Sequence, residues 1–176
     1  MKKNLRALCL ALAAVVCSTS FAQVQNVTNK MVNPDMEKGI IGWDLTFDSH
    51  VWKRQVKTQL TYHGISGVCI ENWKSDATTG LTDNTISQTI SNLPNGTYVF
   101  GAYAVAAVKS TEENREIVEG AYLFANESEV PVATNWPEVT DMKWSHPAKF
   151  NVAVSVTDGT LTVGMKAVET NANFLM

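Results

Sequence analysis

From residue 150 to residue 167 the chain reads "FNVAVSVTDGTLTVGMKA", and apolar residues recur at every second position. Phe150, Val152, Val154 and Val156 share a face before Asp158-Gly159. Leu161, Val163, Met165 and Ala167 share a face after it. Asn151, Ser155, Thr162 and Lys166 take the other side. A period of two predicts half-buried strands. Asp-Gly is a favoured two-residue turn, because both positions tolerate positive φ. The spacing therefore predicts a hairpin that pairs Val156 with Leu161, Val154 with Val163 and Val152 with Met165. A slip of one residue would send the apolar set to water, so only one register works.

A second such stretch is "ISQTISNLPNGTYVFGAYAVA", Ile86 to Ala106. Ile86, Gln88 and Ile90 share one face. Leu93-Pro94-Asn95-Gly96 supplies a turn, with Pro94 setting φ and Gly96 taking the strained position. Tyr98, Phe100, Ala102, Ala104 and Ala106 then alternate with Val99, Tyr103 and Val105. Both faces are apolar, which predicts a central strand or one with a covering loop. The small residues Gly101, Ala102 and Ala104 leave room for a bulky neighbour. This stretch too predicts a hairpin.

Further strands are expected at Gln25 to Val32, Trp43 to Phe47, Val51 to Val56, Val68 to Trp73 and Ala121 to Ala125, with a short piece near Val130. Helical periodicity is nearly absent after residue 22. "STEENREIVEG", Ser110 to Gly120, reads as an acidic surface loop. Roughly eight or nine short strands between turn signals define an all-β sandwich or barrel.

The first 22 residues do not join this pattern. Lys2, Lys3 and Arg6 precede a short apolar run, Leu8 to Val16, and Ser20-Phe21-Ala22 places small residues at a cleavage site. This is the form of a secretory signal peptide cut after Ala22, and the run is too short to span a membrane. A lipidated Cys17 is disfavoured by the bulky Val16 before it. Gln23 to Met176 is then one domain, destined for the periplasm, the cell surface or the medium. Its eleven basic residues face 17 acidic ones, a net charge of −6. No basic stripe remains, so nucleic acid is not an expected partner. Cys69 is left alone and reads as a small packed hydrophobe.

Four stretches come in a familiar order: "NPDMEKGIIGWD", "GVCIENW", "ISQTISNLPNGTYVFGAYAVA" and "FNVAVSVTDGTLTVGMKA". The chain resembles galactose-binding-like jelly-roll domains, which include the carbohydrate-binding modules of secreted bacterial polysaccharide-degrading proteins. The strongest part is the Gln-then-Leu-Pro-x-Gly-x-Tyr pattern, Gln88 through Tyr98. Asn33 through Trp43 supports it. Both are framework, so the resemblance implies an all-β jelly-roll β-sandwich and names no ligand. Such domains finish on a strand with an Asp-Asn-Phe-like segment beside the first strand. Here the sequence reaches "ETNANFLM" at that point, so the last strand is expected to be truncated and its edge unpaired.

No catalytic motif is present. "HGISG" lacks the Gly-x-Ser-x-Gly elbow, and His50, His63 and His146 form no paired motif. Glu37, Glu71, Glu119 and Asp141 are carboxylates that spacing alone cannot pair for glycoside hydrolysis. The resemblance implies a structural Ca²⁺ held partly by Glu37, with Asp35 nearby and oxygen ligands that suit the ion. Asn33-Pro34-Asp35 also reads as an Asx-type turn beside a solvated Glu37. With the late aspartate missing, the turn reading is preferred and no cofactor is expected.

The five tryptophans are more telling. Flat aromatic rings offer the C–H faces of a sugar a rigid apolar platform, with polar neighbours for its hydroxyls. Trp43 follows Gly42 in the framework motif and belongs to the core. Trp73 ends a strand, after Glu71 and Asn72. Trp136 sits in a loop, and Trp52 and Trp144 can serve either the core or a ligand. The expected function is a secreted, non-catalytic module that binds a glycan through Trp73, Trp136, Trp52 and Trp144 with Asn72 and Glu71. Two alternatives stay open. One is an accessory domain cut from a longer glycoside hydrolase with further domains. The other is a structural or adhesive surface domain with its tryptophans in the core.

Overall fold

The computed structural model describes residues 25–46, 52–57, 67–74, 80–81, 84–107, 118–132, 147–172 and 174–175. Trp136, Trp144, Asp141, the three histidines, residues 1–22 and most of the acidic stretch 110–120 lie outside them. The described strands are β1 (Asp44–Thr46), β2 (Lys53–Lys57), β3 (Gly67–Trp73), β4 (Asn84–Ile90), β5 (Gly96–Ala104), β6 (Ala106–Ala107), β7 (Ala121–Ala125), β8 (Ser128–Pro131), β9 (Ala148–Val156), β10 (Leu161–Ala167) and β11 (Phe174–Leu175). Every pairing among them is antiparallel.

They form a jelly-roll β-sandwich. One layer has the order β1-β4-β10-β7-β8. The other has β2-β3-β11-β6 and the pair β5-β9, with β5 and β6 separated only by Val105. Ile86, Ile90, Leu123, Leu161, Val163 and Met165 bury against Ile70, Leu175, Val152, Val154 and Val156.

Both expected hairpins are corrected. β9 pairs with β5 from Gly96↔Val156 to Ala104↔Ala148, not with β10. β10 pairs with β4 from Leu161↔Ile90 to Ala167↔Asn84. Each connection is therefore an arch that carries the chain from one layer to the other. The two arches lie together, since the Leu93 N–H donates to the Gly159 carbonyl at 3.0 Å. Gly159 does take positive φ, +76°, and Asp158 Oδ1 accepts the Thr160 N–H at 2.9 Å. The physical reason is that alternation fixes which face is apolar and leaves the partner open. In a hairpin the two apolar faces would lie side by side. In an arch they face one another across the core, and Val152, Val154, Val156, Leu161, Val163 and Met165 are all buried in that way.

Two end segments also differ from expectation. Gln25 to Val32 is not a strand. Asn26 Oδ1 accepts the Thr28 N–H at 2.9 Å, and Thr28–Lys30 forms a 3₁₀ turn. An Asn side chain offers the backbone that local alternative. At the other end Phe174 and Leu175 form a paired strand, seated between β3 and β6 rather than beside the first strand.

The segment before β1 has no ladder of its own, and Gln88 holds it. Gln88 is buried within β4. Its Nε2 donates to the carbonyls of Val32 at 2.9 Å and Gly42 at 2.7 Å, and its Oε1 accepts the Val32 N–H at 2.7 Å. The turn that follows is fixed the same way, for the Tyr98 hydroxyl donates to the Pro94 carbonyl at 2.7 Å. Gln88→Ala leaves one donor and two acceptors without partners. It is expected to destabilise the fold by about 2–4 kcal/mol in urea unfolding. Gln88→Glu, whose carboxylate cannot donate, is expected to cost at least as much at neutral pH.

Candidate ligand-binding face

Along β5, Tyr98, Phe100 and Ala102 turn toward the core and are partly buried, while Thr97, Val99, Gly101 and Tyr103 turn outward. Along β9, Lys149, Asn151, Ala153 and Ser155 turn outward. Register sets Tyr103 opposite Lys149, Gly101 opposite Asn151, Val99 opposite Ala153 and Thr97 opposite Ser155. Tyr103 is 73% exposed and Val99 65%. Both are large; Val99 sits mid-strand, and Tyr103 lies one residue before the end of β5, where the ladder to β9 still continues to Ala104↔Ala148.

Gly101 opens a gap between them. A Cβ there would lie 2.7 Å from Asn151 Oδ1 and 3.7 Å from Lys149 Cε. The missing side chain thus lets the Asn151 amide reach over β5, beside the aliphatic stem of Lys149. The result is an apolar ring and an isopropyl group on either side of an amide that can donate and accept, with one cation at the rim. That combination suits a neutral ligand with both C–H faces and hydroxyls.

Trp73 lies on the same outer face of the second layer. It is 52% exposed at the end of β3. Phe174 stands opposite both Trp73 and Ala107, and with Val105 and Ala107 it forms a small buried cluster. Four residues along the strand and two strands across separate Trp73 from Tyr103, about 16 Å on standard sheet spacings. Two exposed rings therefore flank one sheet face.

The sequence-chosen residues divide. Trp73 is exposed, and Glu71, half-buried, points to the same side by alternation. Trp52 is not a surface platform: it is 2% exposed and belongs to the core. Asn72 is not a surface ligand either. It is fully buried, and its Nδ2 donates to Asn84 Oδ1 at 2.7 Å, joining β3 in one layer to β4 in the other. Trp43 is core as expected, with Nε1 donating to the Asn33 carbonyl at 3.3 Å. Cys69 is half-buried on β3 rather than fully packed. Trp136 and Trp144 lie outside the described residues.

Tyr103, Val99, Asn151 and Lys149 escaped the sequence reading. Val99, Tyr103 and Val105 were grouped there as a second apolar face, which implies cover. Only Val105 is covered. The signal lay in β9, whose Asn151 and Ser155 already pointed to water. Once β5 is known to pair with β9, both outward sets fall on one open face.

The proposed calcium ligands are exposed and engaged by the protein. Asp35 Oδ1 accepts the Glu37 N–H at 3.3 Å, an Asx-type turn. The Arg54 Nε donates to the Glu37 carbonyl at 2.9 Å, and its Nη2 stands 3.8 Å from the Glu37 carboxylate. Ca²⁺ takes six to eight oxygens, so a site here would need backbone carbonyls beside the Asp35 and Glu37 carboxylates. Among the described residues no group of three or more His, Cys, Asp or Glu gathers. No helix there is long and apolar enough to cross a membrane.

No family model matches the sequence, and no curated protein matches it. Among solved structures the chain is similar to TmCBM61 in complex with β-1,4-galactotriose. The identity is 18%, the match covers 84% of this chain and 97% of that one, and the TM-score is 0.44. It is also similar to a family 35 carbohydrate-binding module from an environmental isolate. There the identity is 14%, the coverage 76% and 90%, and the TM-score 0.31.

The role of Gly101 can be checked without a ligand. Gly101→Ala places a methyl against the flexible end of Asn151, so stability is expected to change by less than about 1 kcal/mol. The Asn151 side-chain amide resonances are expected to shift strongly in a ¹⁵N correlation spectrum, while those of Asn33 and Asn84 stay in place.

Proposed function

We propose that this chain is a secreted, non-catalytic module that binds a glycan on the outer face of β5 and β9. The observation that carries the reading is the exposure of Tyr103 and Val99 on either side of Gly101, with the Asn151 amide between them. The framework resemblance centred on Gln88 through Tyr98 supports it. Tyr103 supplies the platform, Asn151 and Lys149 meet hydroxyls, and Trp73 with Glu71 forms a second contact further along the face. Binding here is reversible stacking and hydrogen bonding, with no bond made or broken.

An affinity-gel panel of plant and microbial polysaccharides, followed by calorimetry on any hit, tests this. Tyr103→Ala is expected to weaken binding about tenfold, the equivalent of 1.4 kcal/mol, while Tyr103→Phe retains most of it. Trp73→Ala is expected to weaken binding to long oligosaccharides more than to short ones. Absence of binding across the panel, or affinity unchanged by Tyr103→Ala, would remove the reading.

A further inference from the structure

Some side chains that strand phase turns inward are not sealed by the core. Phe100 and Ala102 of β5 and Val68 of β3 point between the layers, yet each is only half-buried. All three line one pocket of about 520 Å³. Ligand pockets run from roughly 300 to 1,000 Å³. A packed interior rarely holds a gap much larger than one water, about 30 Å³.

The pocket is open at one end and apolar at the other. Cys69, Gly101 and Tyr103, on the outward phase of their strands, line it. Ile70, Ile86 and Met165, all buried, line it too. It therefore opens between β3 and β5 on the outer face and runs inward to the first layer. Gly101 is shared with the proposed binding face, where Asn151 Oδ1 lies over it and Lys149 stands opposite Tyr103. The mouth thus has a polar rim. A hydroxyl or charge set beside Ile70, Phe100 and Met165 would lose its water without gaining a partner. An alkyl chain gains by leaving water there. Trp52 also lines the pocket, with its Nε1 buried and without a hydrogen-bond partner. Packing by the protein's own groups is incomplete at this place.

We propose that this pocket takes the linear apolar chain of an amphiphilic ligand, an alkyl or acyl group whose sugar head stays at the rim. A methylene fills about as much space as a water, about 30 Å³, so a chain of about eight to twelve carbons fits with room to spare. The ligand class of the outer face then widens from bare glycans to glycolipids and alkyl glycosides. The place of the head rests on the glycan reading. The place of the chain rests on the pocket alone.

Calorimetry with hexyl, octyl and decyl β-D-glucoside, each below its micelle concentration, tests this on the full chain. Affinity is expected to rise about tenfold for every two methylenes added, with ΔCp more negative at each step. Ala102→Leu puts extra carbon into the pocket and is expected to flatten that rise. Val68→Phe enters from the opposite wall and is expected to do the same. Asn151→Ala, at the rim, is expected to weaken all three ligands about fivefold and keep the rise. Affinity independent of chain length in the unaltered protein overturns the proposal. So does a rise that Ala102→Leu and Val68→Phe both leave intact. Three affinities unmoved by Asn151→Ala, with the rise retained, remove the glycan reading and leave the chain in its pocket.

Discussion

One buried amide organises the edge of this sandwich. The chain from Met31 to Trp43 has no strand to satisfy its backbone, yet it covers the core. Gln88 resolves that conflict by projecting from β4 and bonding Val32 twice and Gly42 once. A buried amide in an apolar layer would be costly alone. Here both its donor and its acceptor are engaged, so the same burial makes the contact specific. Asn33 extends the arrangement, with its Nδ2 donating to Gly39 and its Oδ1 accepting from Lys38. Arg54 of β2 then reaches Glu37 of the pinned segment, so the second layer is tied to the same loop.

The sequence showed faces and hid partners. Every apolar position assigned to the core in the stretch from Val152 to Met165 is buried, and Ala121 to Ala125 has the bounds it was given. Strand pairing was another matter. Asp158-Gly159 and Pro94-Asn95-Gly96 are turn signals, and a turn signal says that the chain reverses. It does not say whether the reversal stays within one sheet. What decides is the other arch: β4 finds β10 and β5 finds β9, and no local pattern encodes that exchange.

The same limit governed the site. Composition pointed to tryptophan, and tryptophan is also the largest core residue, so burial had to decide between the two. It placed Trp52 inside and left Trp73 outside. Asn72 looked like a polar neighbour for a ligand, but its strand phase turns it inward, to Asn84. Tyr103 was visible in the alternation and misassigned, since an apolar outer face reads as a covered one until the partner strand is known to be polar.

The two outer faces make the contrast physical. On the first layer Tyr122 and Phe124 also point outward, but Lys166 lies over both rings, its Nζ 5.8 and 5.7 Å from their centroids. That aromatic surface is half-buried and capped by a cation whose stem covers carbon while its head stays wet. On the second layer Lys149 stands opposite Tyr103 in the ladder, and Tyr103 remains 73% exposed. The chain therefore shields outward aromatics in one place and leaves them bare in the other. Cover by a neighbouring stem removes apolar ring surface from water, so the two faces differ in how much aromatic surface they leave wet. The bare Tyr103 ring beside the glycine gap is the observation on which the proposed binding face rests.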